Sequence, residues 1–517
     1  MHSNQTSTNP SIKHKRAQRA LRLLRYGAML LLILTPAIVA MGLLYHFQGV
    51  GMSRLLPIWS DEILYWHQAQ SFSVAGLNSG YYTVAGVTAP LGTPYYTWGV
   101  FIPALYGGWA ALFGWGLASI PMINLLVLTL SLVFLVIVTR PTSVQSLTLF
   151  ALLATFSPFI IWSPSSLMAV LQLGLAVGLA VGFWVLLRSG AGTPRRVLIA
   201  LLLGIALASL VRVWWAMLYL PVLLLVLPSW RWWRVLLMGL VSAVLMLALA
   251  VLTYGMMAPF PNWLSDVFAS ENSRTLLENI RNNLKHFRQG NILEITLRWQ
   301  VLSVMAALAA SFPLILWLAL RAGRALRPLI AEFGVYAYML LGGWAFVMIV
   351  YETFEWRDFR ILAPLLLMVL VLLALRGRYW VVLGVVASML WLMPETLIVY
   401  DLWSGWHTDT EKHNAYFAWE NELDKVLQYE PNAPSQWCNT LWHTMHYLFV
   451  PTSTLLAVDA GIGLTSPLFL DDYAVPSRSR YLMLDDRTYE QIAPDVDVSL
   501  LRAVPDGGLY LNHAAMC

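Results

Sequence analysis

Apolar runs near the length of a membrane-spanning helix recur along the whole chain. The first covers Tyr26 to about Phe47. Ten more lie at roughly 119–139, 145–163, 166–187, 197–211, 213–228, 235–256, 299–320, 330–350, 361–375 and 379–399. A helix crosses the hydrocarbon core with about 20 apolar residues. No soluble core of 517 residues has room for so many such runs. Charged residues make up 11% of the chain, less than half of the roughly 25% usual in soluble domains. Disordered chains and soluble multidomain enzymes are excluded. The expected fold class is an α-helical polytopic membrane protein of about 11 transmembrane helices.

Charge placement sets the topology. Residues 1–26 carry Lys13, Lys15, Arg16, Arg19, Arg22 and Arg25 and no acidic residue. By the positive-inside rule this basic tail is cytoplasmic and the first run is an uncleaved span. Later basic clusters sit at alternate span ends: Arg140; Arg188, Arg195 and Arg196; Arg231 and Arg234; Arg321, Arg324 and Arg327; Arg376 and Arg378. All fall on the cytoplasmic side if residues 48–118 form one outer loop. Segment 98–118 is then a re-entrant or interfacial helix, and 197–211 with 213–228 is open to reading as one helix broken at Arg212. Of the 27 acidic residues only Glu332 falls on the cytoplasmic side. The net charge of +5 thus reflects membrane sorting, and no nucleic-acid partner is expected.

The polar surface faces outward in four pieces: 48–118, 257–298, the loop 351–360, and a domain from 400 to 517. This last piece reads as a small α/β domain, with a helix over 413–429 and strand-like runs at 453–459 and 480–485. Cys438 and Cys517 both fall there, where the compartment permits a disulfide. His67, Lys285 and His286 read as surface residues.

Scarce charge gathers at two outer places. In the first, Ser60 reads as a helix N-cap with Asp61 and Glu62 in the first turn, favoured by the helix dipole. The other reading makes Asp61 a general base at the membrane surface. Tyr65 and Gln68 share its helix face at i+4 and i+7, and would orient a hydroxyl-bearing substrate. Tyr81, Tyr82, Tyr95 and Tyr96 follow, as belt anchors or as walls for sugar rings. In the second place, Arg357, Asp358 and Arg360 offer either bidentate phosphate binding or internal neutralisation. Arg212 is an intramembrane charge, a functional candidate by position.

These motifs together resemble the GT-C membrane glycosyltransferases, such as protein O-mannosyltransferases and lipid A aminoarabinose transferases. The resemblance rests on Asp61-Glu62 after the first span, Ala69 and Gly76, the Pro94-Tyr95-Tyr96 segment running to Ala111–Gly114, Ser157-Pro158 through Ser163, and Arg360 with Pro364. It is departed from in two places. Ser165, Ser166, Met168 and Gln172 occupy a stretch where the family often has an acid, and Ile361 replaces a tyrosine.

The resemblance implies a GT-C-like membrane domain and a polyprenyl-phosphate sugar donor. Asp61 would be the catalytic base of an inverting transfer to a hydroxyl on a lipid, glycan or protein. Glu62 would orient the acceptor. No cofactor follows from the residues; a divalent Mg or Mn ion is an open option, with Asp61 as its ligand. A bacterial plasma-membrane enzyme with its C-terminal domain outside is the expected setting. A lipid-linked glycan polymerase or ligase, and a transporter or flippase, are the alternative classes. A transporter would show internal repeats, and none is found.

Overall fold

The computed structural model describes residues 10–76, 83–84, 101–226, 232–255, 273–288, 305–306, 309–317, 320–321, 326–350, 356–423, 425–443, 458, 461–466, 479–492, 494, 496–504, 507–515 and 517. Its helices are α1 (Pro10–Gln48), α2 (Ser60–Ala75), α3 (Phe101–Phe113), α4 (Ser119–Thr139), α5 (Ser143–Thr155), α6 (Ser157–Trp162), α7 (Ala169–Ser189), α8 (Arg195–Val211), α9 (Tyr219–Val226), α10 (Trp232–Gly255), α11 (Ser273–Arg288), α12 (Leu326–Val350), α13 (Ala363–Leu375), α14 (Tyr379–Trp391), α15 (Met393–His407), α16 (Thr410–Leu423) and α17 (Asp486–Ile492).

Where the residues are described, the apolar runs become helices, several of them interrupted. Among the described residues four helices are long and apolar enough to cross a membrane: Gln18–Gln48, Ser119–Thr139, Ala169–Ser189 and Leu329–Met348. A fifth arises if α14 and the helix after it count as one span bent by 61°. Local chemistry explains the breaks. Pro158 and Pro394 stand in the first turns of α6 and α15, where proline starts a helix but cannot continue one. The run 145–163 is therefore two helices, and the run 379–399 bends and carries on to His407. The segment 98–118 contains the 13-residue α3, about 20 Å long at 1.5 Å per residue. That is short of the roughly 30 Å core.

One end of the bundle is basic. Arg25 donates to the carbonyls of Arg140 and Pro141, and Gln145 donates to the carbonyl of Leu375 at 2.9 Å. Beside them Arg376 holds Glu332 at 2.9 Å, and Tyr336 donates to the same carboxylate at 2.9 Å. Asp61 and Glu62 sit among different residues, away from this cluster.

A six-stranded sheet is built from β1 (Thr83–Val84), β2 (Thr440–His443), β3 (Gly463–Ser466), β4 (Tyr481–Asp485), β5 (Val498–Val504) and β6 (Gly507–Asn512). The order is β1-β3-β2-β4-β6-β5, parallel from β1 to β4 and antiparallel beyond. The edge strand β1 comes from the segment between α2 and α3, so that segment and the C-terminal one share a sheet. Alternation puts Leu441, Tyr481, Met483 and Leu509 into the main core, while Trp442, Leu482, Leu484 and Tyr510 form a second cluster on the other face.

Three local readings compare with the structure as follows. The helix expected over 413–429 is α16, Thr410–Leu423. The strand-like run 453–459 lies outside the described residues except Val458, which is a bend; the strand follows it at Gly463. Cys438 and Cys517 lie close to one another as free thiols.

Candidate functional site

Helix α2 carries the site, and Glu62 fixes where it starts. Trp59, not Ser60, is the N-cap, with extended backbone at φ −95° and ψ 154°. The Glu62 carboxylate folds back to accept from the N–H groups of Ile58 at 2.9 Å and Trp59 at 3.1 Å. It thereby satisfies donors that a helix start leaves without partners.

The rest of that carboxylate is filled from two other segments. The Ser165 hydroxyl and the Ser166 N–H (3.0 Å) donate to Oε1. His407 Nε2, at the end of α15, lies 3.0 Å from Oε1 and 3.1 Å from Oε2. Glu62 and His407 are wholly buried. Burial alone would raise the Glu62 pKa; the His407 charge and the hydrogen bonds from His407, Ser165 and Ile58 outweigh it and lower it. The five donors leave the carboxylate no face toward a ligand, so the room for an acceptor that the sequence suggested at Glu62 is absent. Ser165 and Ser166 stand where the relatives' acid was sought, and they serve Glu62.

Asp61 points the other way. Its side chain is 32% exposed, in a recess with protein on most sides. Burial is the largest influence and raises its pKa, opposed by Arg360 and then Arg212, with a small further rise from Glu62. Arg360 Nη2 lies 3.7 Å from the carboxylate. The Arg360 guanidinium also lies over the Trp59 and Trp162 rings, at 4.8 and 5.3 Å from their centroids. Trp403 meets both indoles edge-on, at 5.6 and 5.1 Å.

Breaks in helices bring both arginines here. Helix α8 stops at Val211, and Arg212 takes an extended backbone (φ −150°, ψ 123°) before the 3-10 turn Val213–Leu218. Arg360 closes a second 3-10 turn, Trp356–Ile361, just ahead of α13. Arg357 and Asp358 lie in that turn, but their side chains fall outside the described residues. Tyr81, Tyr82, Tyr95 and Tyr96 also fall outside them.

Tyr65 and Gln68 share the Asp61 face in register only. Each is 2% exposed, because α3 and the core close over α2. At the contact, a Cβ on Gly107 would come within 2.8 Å of the Ala69 carbonyl. His67 is a further correction: it is buried, and burial, with His443 beside it, pushes its pKa down to about 3. Lys285 is exposed, and the His286 side chain falls outside the described residues.

Beyond Arg360 the protein is hollow and apolar. A narrow pocket lined by Phe359, Leu362, Leu366, Trp344, Leu340 and Met305 leads from the arginine turn. Leu340 and Met305 also line a cavity of about 470 Å³, with Phe312, Phe333, Tyr336 and Leu373. Among the described residues no three His, Cys, Asp or Glu side chains gather as a metal-binding group.

This arrangement belongs to a known fold. The chain is similar to the crystal structure of ArnT from Cupriavidus metallidurans bound to undecaprenyl phosphate, with a TM-score of 0.50 and 14% identity over 95% of this chain and 99% of that one. The apo structure of the same protein gives 0.49 and 14%, over 94% and 98%. The likeness to ArnT is one of fold. With its apolar helices and this fold, the chain is an integral membrane protein. No protein-family model matches the chain, and no curated protein matches its sequence.

Proposed function

We propose that the protein is an inverting glycosyltransferase that moves a sugar from a polyprenyl-phosphate donor to a hydroxyl acceptor at the outer face of a bacterial plasma membrane. One observation carries this reading: the charges of two guanidinium groups bear on a single part-exposed carboxylate, next to a turn that borders a narrow apolar pocket. The similar ArnT structure holds undecaprenyl phosphate, and the same ligand chemistry suits this recess. Arg360 and Arg212 would take the phosphate, and the apolar pocket and cavity part of the prenyl chain.

The chemistry needs one base and one charged cradle. Asp61 removes the proton of the acceptor hydroxyl as that oxygen attacks the anomeric carbon. The bond from that carbon to the phosphate oxygen breaks, and its electron pair leaves on the phosphate. Arg360 and Arg212 stabilise the charge that develops there. Burial makes the Asp61 carboxylate a stronger base than a solvated one. Two tryptophan faces hold the Arg360 fork in place. The N-terminus is cytoplasmic and the C-terminal sheet lies outside.

A divalent ion does not fit at Asp61. The carboxylate already faces two guanidinium charges, and the lone pairs of Glu62 are taken by five protein donors. The arginines supply the charge a metal would.

The test is binding of undecaprenyl phosphate to the purified protein in detergent. Saturable binding that weakens at least tenfold in Arg360→Ala is expected. No saturable binding by the unaltered protein would sink the reading.

A further inference from the structure

His407 is 345 residues away from Glu62 in sequence and in contact with it in space. Its ring nitrogens face two acceptors. Nδ1 lies 2.7 Å from the Trp403 carbonyl, which can only accept, so Nδ1 carries a proton. Nε2 faces the Glu62 carboxylate, which takes N–H and O–H donors from Ile58, Trp59, Ser165 and Ser166. Both ring nitrogens of His407 thus meet oxygen partners, and the ring is sealed from solvent.

The backbone repeats the connection. The His407 carbonyl accepts from the Leu56 N–H at 2.8 Å. At the same end of the bundle Gln48 donates to the Asp401 carboxylate (2.9 Å) and to Ser404 (3.0 Å). The last turns of α15 thus grip the segment that leads into α2, and α15 continues through Thr408 into α16 and the C-terminal sheet.

We propose that His407 is a positioning residue. Through Glu62 it locks the first turn of α2 and the Ser165-Ser166 turn together, and so sets the direction of Asp61 toward the recess. Glu62 acts as the keystone of this clamp and touches no substrate. The clamp also links the C-terminal segment to the site, since α15 is the element that joins them. The proposal rests on the glycosyltransferase reading for its effect on turnover, while the clamp itself is independent of it.

The experiment compares His407→Asn with His407→Gln in the full-length protein. The asparagine amide reaches the Trp403 carbonyl but falls short of Glu62; the glutamine Nε2 stands near the histidine Nε2 and keeps a donor on Glu62. Three quantities are measured: hydrogen exchange at the amides of Ile58, Trp59 and Ser166; binding of undecaprenyl phosphate; and release of undecaprenyl phosphate from its aminoarabinose and mannose conjugates in membrane vesicles. In His407→Asn exchange at the three amides should rise at least tenfold. The turnover rate at saturating donor should fall at least tenfold, with affinity for undecaprenyl phosphate within threefold. His407→Gln should recover most of both losses. Unchanged exchange in His407→Asn overturns the proposal, as does an equal defect in the two variants or a parallel loss of binding and turnover. If the unaltered protein releases no undecaprenyl phosphate, the glycosyltransferase reading falls and the exchange result still decides the clamp.

Discussion

Arg360 Nη2 stands 3.7 Å from the Asp61 carboxylate, with its guanidinium plane against two indole rings. The two residues are 299 positions apart in the chain, and each closes or opens a short helical turn at the edge of the same recess. The distance is too long for a strong hydrogen bond, so the pair is held by charge rather than by a close contact.

Substituting Arg360→Lys keeps the charge and removes the planar fork and the stacking. Affinity for undecaprenyl phosphate should fall between that of the unaltered protein and that of Arg360→Ala, about threefold below the former, a loss of about 0.7 kcal/mol. Titration of the purified protein measures this directly.

Adjacent carboxylates should have opposite effects on stability. The Asp61 pKa is raised in the fold, so its ionised form is disfavoured there, and the stability it contributes below its unfolded pKa is lost as pH rises through the folded value. The Glu62 pKa is lowered, so its contribution is present above its unfolded pKa and lost as pH falls through the folded value. At pH 7 Asp61→Asn should raise the melting temperature in detergent. Glu62→Gln should lower it by several degrees, because it breaks a buried pair worth about 3 kcal/mol or more to disrupt.

His67 gives acid sensitivity at the junction of α2 with the sheet. In the fold it stays neutral down to about pH 3, because burial, then His443, opposes its charge. In the unfolded chain it takes a proton below about pH 6.5. Stability should therefore fall as pH drops below that value, by at most about 1.4 kcal/mol per pH unit. The slope should flatten in His67→Phe, as followed by melting temperature across pH 4.5–7.

Gly107 is the contact point of α3 with α2. A Cβ there meets the Ala69 carbonyl and the Phe72 side chain at 2.8 Å, closer than van der Waals contact allows. Gly107→Ala should cost about 1–3 kcal/mol through overpacking. Gly108→Ala, where a Cβ meets nothing within 4 Å, is the control and should leave the melting temperature unchanged.

Much of the site could be read from the sequence because charge is rare in it. Asp61, Arg212 and Arg360 stood out as costly polar residues beside long apolar runs, and the structure gathers all three around one recess. His407 gave no such signal. It lies one turn beyond Trp403 at a helix end, and its partner is reached only through the fold. Glu62 looked like half of a catalytic pair; one residue's step around α2 turns it by about 100° from Asp61 and into the protein. The strand β1 was illegible because two residues in a long loop carry no alternation. Tyr65, Gln68 and His67 looked outward-facing, since a sequence that places α2 in an outer loop gives no sign that α3 and the sheet cover it. Helix breaks at Pro158 and Pro394 were not visible in hydropathy, which joins the runs that proline interrupts, whereas the break at Arg212 was open to reading from the charge itself.

The most direct measurement is release of undecaprenyl phosphate from its aminoarabinose and mannose conjugates, in vesicles holding either the unaltered protein or Asp61→Asn. If Asp61 is the base, the unaltered protein releases it from at least one conjugate. The variant should do so at least about 100-fold more slowly while binding undecaprenyl phosphate within a few-fold as tightly. Equal rates for the two proteins would contradict the assignment of Asp61 and the mechanism built on it.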